Sequence, residues 1–223
     1  MQPIALAVLA VIGLVASASA AAQVDCGSLD THYGPFDYLT DRDKLPVVER
    51  HHFTPRVELL LGGISTAYAE GDISYTLHAF PNHHRALAAL IRLAERSGSR
   101  SPPRLDLSVD CYFERALRFR PDDLIARMLL ADFLIRTARG GDAEQQLDHV
   151  SKLAGDNPLT HLNAGRLYMK LGRHDKAVER ALRARELGVE HSDLETQLVA
   201  KNLWPASAPA PEAPAGVASG STP

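Results

Sequence analysis

The apolar residues between His83 and Ser97 fall at Leu87, Leu90, Ile91 and Ala94, an i, i+3, i+4, i+7 stripe that predicts an amphipathic helix. Asn82, just after Pro81, is the expected N-cap, which puts His83 and His84 in the first turn. The helical period returns in "RMLLADFLIRTARGGDAEQQLDHVSKL", broken at Gly140 and Gly141, and in "PLTHLNAGRLYMKLGRHDKAVERALRARELG", broken at Gly172. "SVDCYFERALRFRPDD" reads as one helix closed by Pro121. Asp122 and Asp123 then open the next, where carboxylates suit the positive end of the helix dipole. "HSDLETQLVAKNLW" predicts a last helix, capped by Ser192 or Asp193. "SGSRSPPRLDL" is an enlarged loop after the first helix, because its Ser-Pro-Pro cannot be helical throughout.

Residues 23–80 are patterned differently. Turn signals recur at "YGPFD", "KLPVV", "FTP", "LGG" and "EGD", and aromatic residues concentrate here. One short helix is expected over Thr54 to Leu61, with Thr54 as N-cap and Pro55 at the first helical position. "DISYTLHAF" reads as a strand by alternation or as an extended approach to the following helix. The expectation is an irregular wrap over the first helix pair.

The helical half repeats with a period of about 34 residues. With Pro158 as position 1, Gly165 falls at position 8, Tyr168 at 11, Gly172 at 15, Ala177 at 20 and Ala184 at 27. Small residues at 8 and 20 let two antiparallel helices approach closely, Gly172 ends the first of them, and Tyr168 fills the gap. The preceding unit places Ala131 at 8, Leu134 at 11, Ala143 at 20 and Leu147 at 24. The unit before that keeps Phe113, Ala116 and Pro121 at 24, 27 and 32. These residues resemble the tetratricopeptide repeat, with one strong unit and two divergent ones over 81–204. The resemblance implies an all-α fold: a short superhelical array of antiparallel helix pairs, with an irregular, loop-rich N-terminal segment before it. "YGPFDY", "HFTP", "YTLHAFPNHHRAL" and "CYFERALRFRPDD" make the whole chain similar to a group of secreted tetratricopeptide proteins of Gram-negative bacteria. That likeness implies a location and brings no activity with it.

The first 22 residues hold "IALAVLAVIGLVA" and then "SASAAA", the pattern of a secretory signal cleaved after Ala22, although "MQP" lacks the usual basic residue. An uncleaved anchor is the alternative, and only that case would tie the chain to a membrane. A periplasmic or secreted protein is expected. After Trp204, "PASAPAPEAPAGVASGSTP" (205–223) is too poor in large apolar residues to build a core and reads as a disordered tail. The net charge of -3 argues against nucleic acid as a partner. Cys26 and Cys111 are the only cysteines. In an oxidising compartment they read as one disulfide closing a loop of about 85 residues, worth on the order of 4 kcal/mol, and otherwise as two buried thiols.

Six of the ten histidines lie in the first 84 residues. His51, His52, His78, His83 and His84 form the only candidate for a metal or ligand site. Adjacent histidines diverge, however, and no His-Glu-x-x-His or Cys-x-x-Cys is present. The competing expectation is that they hydrogen-bond loop backbone or carboxylates such as Asp37, Asp41, Asp43 and Asp72. No nucleotide-binding glycine pattern and no Gly-x-Ser-x-Gly elbow occurs, so no catalytic residue and no cofactor is assigned and the chain is read as a non-enzyme.

What the tetratricopeptide resemblance implies is scaffolding: positions 2, 5, 6, 9, 12 and 13 of each repeat line a groove for a protein or peptide. On this sequence they include Asp132, Arg136, Asn163, Arg166 and Lys170. An Asn with two cations resembles a clamp for a peptide carboxylate, incomplete here because the neighbouring unit supplies Asp132 and one cation. A solvated helix face explains the same residues. The expected role is a periplasmic adaptor or assembly factor. The alternatives are a metal- or small-ligand protein centred on the histidines, and a structural subunit of an envelope complex.

Overall fold

The computed structural model describes residues 25–205. The expected signal segment, and all but the first residue of the expected tail, lie outside them. The regular structure of the described residues is all helical, ten helices without a strand among them: α1 (Leu45–His52), α2 (Pro55–Glu58), α3 (Ala69–Ala79), α4 (His84–Ser97), α5 (Val109–Phe119), α6 (Leu124–Arg136), α7 (Gly140–Leu153), α8 (Pro158–Lys170), α9 (His174–Glu186) and α10 (Asp193–Ala200). None of them is long and apolar enough to cross a membrane.

Helix starts are set by short polar side chains that satisfy the free N–H groups of a first turn. Ser108, Asp123, Asn157 and Ser192 cap α5, α6, α8 and α10 in this way. For α4 the expected cap shifts by one residue. His83, not Asn82, caps it: its Nδ1 accepts from the Ala86 N–H at 3.2 Å. Asn82 is left free for a different task.

Neighbouring helices pack in pairs, α6 with α7 and α8 with α9 most extensively, while α4, α6 and α8 also touch one another side by side. Of the expected breaks, Gly172 behaves as the sequence implies, with φ +75° just after α8, whereas Gly140 and Gly141 open α7 and Ala138, at φ +59°, makes the turn before it. The small residues at the α8–α9 crossing also behave as implied. A Cβ on Gly165 would lie 2.6 Å from Leu194 Cδ2 and 3.2 Å from Arg180 Cβ, and Ala177 on α9 is fully buried. Two large apolar cores result, and a smaller one joins Leu45, Val48, Ala79 and Phe80 under the N-terminal strap. Of the large cores, one is built on α4 with Ile73, Leu77, Tyr112, Phe113 and Phe133; the other lies between α6 and α10 around Leu147, Tyr168 and Leu194.

The N-terminal segment corrects the expectation of an irregular wrap. It contains three helices, and "DISYTLHAF" lies in α3 up to its closing Phe80, the C-cap, rather than in a strand or an extended run. Ile73, Tyr75 and Leu77 alternate with polar residues, which suggested a strand. Ile73 and Leu77 are four apart, and so share the buried face of a helix; Tyr75 between them is exposed. The expected helix at Thr54–Leu61 is shorter, Pro55–Glu58, and the Thr54 side chain does not cap it. Leu60, at φ +57°, turns the chain out of helical geometry there.

Residues 25–44 carry no helix and run along α5 to the end of α3. The expected Cys26–Cys111 disulfide is formed. Buried Arg115 donates to the Cys26 and Ser28 carbonyls, Arg118 donates to the Gly27 carbonyl at 2.6 Å, and the Phe36 N–H donates to Ala79 O at 2.8 Å. These links fasten the strap to α5 and α3.

Candidate functional site

The five residues assigned to partner binding lie on the row of α6 and α8, and each is engaged within the chain. Arg136 bridges Asp132, four residues back on α6, and Glu95 on α4. Lys170 on α8 donates to Asp132 at 3.0 Å. Arg166 pairs with Asp193 at the start of α10 and donates to Asn163 at 2.7 Å. Asp132, Arg136 and Lys170 are therefore brought together, while Asn163 and Arg166 form a second group towards α10.

A rule emerges that the sequence reading missed. Arg96, Arg136 and Lys170 are each the thirteenth residue of α4, α6 and α8. Each reaches back past the helix that precedes its own: Arg96 to Leu60 O, just after α2, at 2.7 Å, Arg136 to Glu95 on α4, and Lys170 to Asp132 on α6. Part of what read as a clamp is thus a ladder of clasps that ties α4 to α6 and α6 to α8. Its charges are 40% exposed at Arg136 and 53% at Lys170, so each pair contributes about 0–1 kcal/mol and yields readily to a competing ligand. Beside the ladder, at the C-terminal ends of α4 and α6, is a cavity of about 240 Å³. Ala94, Gly98 and Phe133 line its apolar part; Glu95, Arg100, Arg136 and Thr137 rim it.

The histidines do not converge. His52 Nδ1 lies 3.0 Å from Asp72, His78 Nε2 2.8 Å from Asp106, His83 Nε2 3.2 Å from Glu49, and His84 Nε2 2.8 Å from Asp123. Four histidines thus meet four different carboxylates. Of the carboxylates expected as partners only Asp72 takes that role. Among the described residues no group of three or more His, Cys, Asp or Glu is arranged to hold a metal. His51 borders a cavity of about 240 Å³ with His52, Tyr33 and Tyr75.

Around His83 and His84 the motifs "YGPFDY", "HFTP", "PNHH" and "RPDD" meet in one buried junction. The His83 ring sits between Tyr38, at 4.3 Å, and Phe53, at 4.8 Å. Asn82 is fully buried; its amide donates to Asp37 and to Asp123, both at 2.9 Å, and its carbonyl accepts the Tyr38 N–H at 2.9 Å. Asp37 also takes Arg120, and Asp123 caps α6 through Ile125 and Ala126. Burial works to raise both carboxyls. The hydrogen bonds they accept, from Asn82 for Asp37 and from His84 for Asp123, outweigh it and hold both below the usual range. Asn82, Asp37 and Arg120 escaped notice in the sequence as a site. Its one signal is the shared offset of "PNH" and "PDD", in which the cap lies two residues after the proline. The junction is closed packing rather than an open site.

One further cluster carries catalytic residue types. Ser74 Oγ lies 2.5 Å from Tyr112 OH, and both bond Asp106, which also holds His78. A nucleophilic serine needs the histidine between itself and the acid. Here Asp106 lies between Ser74 and His78, so the serine proton goes to a carboxylate and the serine is not activated. The Asp106 carboxyl is held well below its usual range, first by His78 and then by Ser74 and Tyr112. What the cluster does is pin the 98–108 loop to α3 and α5.

No family profile matches the chain. No curated protein and no solved structure matches it either. The functional reading therefore rests on the geometry above.

Proposed function

We propose that this protein is a tetratricopeptide-type adaptor or assembly factor that holds a protein or peptide against the row of first helices α4, α6 and α8. The observation that carries the reading is the cavity between the ends of α4 and α6. It is apolar at its base around Phe133 and rimmed by Glu95, Arg100 and Arg136, the form of pocket that takes one anchoring side chain of an extended partner. The ladder of exposed, individually weak ion pairs running from it to Lys170 supplies charges that a partner can recruit. The Cys26–Cys111 disulfide fits the oxidising compartment that a periplasmic or secreted chain would meet. On this reading no reaction is catalysed and no cofactor is used. The histidines serve the fold.

The test is in-cell crosslinking of a tagged copy, followed by mass spectrometry, beside an Arg136→Glu/Lys170→Glu variant. The variant puts two negative charges next to Asp132 on an exposed face, where the effect on stability is about 1 kcal/mol. A partner recovered with the parent chain and lost from a folded variant is the expected outcome. Equal recovery from both removes the groove.

A further inference from the structure

The segment joining α2 to α3 presents four large apolar side chains to solvent: Leu59 is 60% exposed, Leu61 66%, Ile64 49% and Tyr68 50%. Scattered surface leucines are ordinary, but four within ten residues make a patch. The setting is built into the backbone. Leu60 occupies the left-handed region at φ +57°, and its side chain is buried while its neighbours Leu59 and Leu61 are exposed. Beyond the tip the loop is held firmly. The Ile64 N–H donates to buried Asp72 at 2.6 Å and the Ser65 hydroxyl at 2.8 Å, and a Cβ on Gly63 would lie 2.2 Å from Tyr68 O.

Arginines surround the patch. Arg92 donates to Glu58 O at 2.9 Å and Arg96 to Leu60 O at 2.7 Å, neutral acceptors that leave both positive charges uncancelled. Arg104 lies 3.8 Å over the Tyr68 ring, and the Arg56 guanidinium lies against Gly62. The nearby carboxylates are Glu58, taken by Arg85, and Glu70, 3.7 Å from Arg104. A basic, apolar corner thus stands on a chain whose net charge is -3.

We propose that the 59–68 loop docks this protein on an anionic phospholipid surface, with Leu59, Leu61 and Ile64 entering the headgroup boundary and Arg92, Arg96 and Arg104 meeting the phosphates. Projecting leucines ringed by arginines, with a tyrosine at their edge, match the layered chemistry of a bilayer interface. This surface is separate from the α4–α6 cavity, so it stands or falls independently of the adaptor reading.

The test is co-sedimentation of the chain from Gln23 onward, which holds every described residue and omits the apolar leader that would bind lipid itself. The probes are vesicles of phosphatidylcholine alone and vesicles of phosphatidylcholine mixed with phosphatidylglycerol. Binding to the mixed vesicles alone is expected. Leu59→Ser/Leu61→Ser should weaken it about tenfold or more, and Arg92→Gln/Arg104→Gln about tenfold, with unchanged circular dichroism. Failure to bind anionic vesicles overturns the proposal, as does equal binding by the leucine variant. So does a parent chain that ignores vesicles but self-associates in solution through Leu61, since the patch is then an interface between copies.

Discussion

Replacing His83 with asparagine separates two things this residue does, capping α4 and titrating. In the folded protein Nδ1 accepts the Ala86 N–H, so the ring proton sits on Nε2 and is donated to Glu49. A second proton would have to go on Nδ1, pointing at the Ala86 N–H, inside a site with no solvent exposure. Burial is the main force lowering the pKa of His83 from its usual 6.5; Glu49 opposes it, Arg85 adds to the lowering, and the net direction is down. The unfolded chain therefore binds the proton first as pH falls. The stability contributed by neutral His83 is fully present above pH 6.5 and is lost as pH drops below it, with a slope of at most about 1.4 kcal/mol per pH unit for one proton.

Asparagine keeps an acceptor for the cap and removes the titration, while giving up the ring's packing against Tyr38 and Phe53, a loss of about 1–3 kcal/mol at neutral pH. Urea unfolding of both proteins from about pH 7.5 to about pH 5 measures the difference. The gap between them should narrow steadily towards acid, because only the parent chain carries the penalty. Below that window the depressed carboxyls of Asp37, Asp72 and Asp123, none of which bonds His83, begin to titrate in both proteins alike and cancel. A gap that stays constant, or widens towards acid, would refute the cap-and-tautomer reasoning.

Asn82→Ala should cost about 3 kcal/mol, since it leaves two buried carboxylates, Asp37 and Asp123, short of a donor; chemical denaturation at neutral pH measures it. Gly165→Val should lower the melting temperature by overpacking the contact with Leu194 and Arg180, at about 1–3 kcal/mol, whereas the same change at Gly141, with open space around it, should cost less than half as much. Cys26→Ser/Cys111→Ser should remove about 4 kcal/mol of loop constraint and open residues 25–44 to proteolysis, read as cleavage sites by mass spectrometry, while the core around Tyr168 and Leu194 persists.

Much of the helical half was legible because its signals are local. The i, i+3, i+4 stripe of α4, the glycine break at Gly172 and the cap at Ser192 act within four residues, so spacing alone reports them. The close approach at Gly165 and Ala177 was legible too, since only small residues admit two helix backbones at that distance. Where local signals conflicted, the reading failed: α3 alternates like a strand, yet Ile73 and Leu77 share a helix face. The cap of α4 was misplaced by one residue for a related reason. Asn82 is the better isolated cap, and it was claimed instead by Asp37 and Asp123, some forty residues away on either side.

The sequence by itself determined which segments are helical in the C-terminal half and which two cysteines could pair. These follow from backbone propensity, capping chemistry and the cysteine count, which operate without knowledge of distant neighbours. Only the tertiary structure decided what the charged and titratable side chains do. It gave each of four histidines a separate carboxylate, turned Arg136 and Lys170 into clasps between helices, and left Leu59 and Leu61 uncovered beside arginines. Ion pairs and exposed patches depend on which faces meet across tens of residues, and that is fixed by packing the whole chain at once.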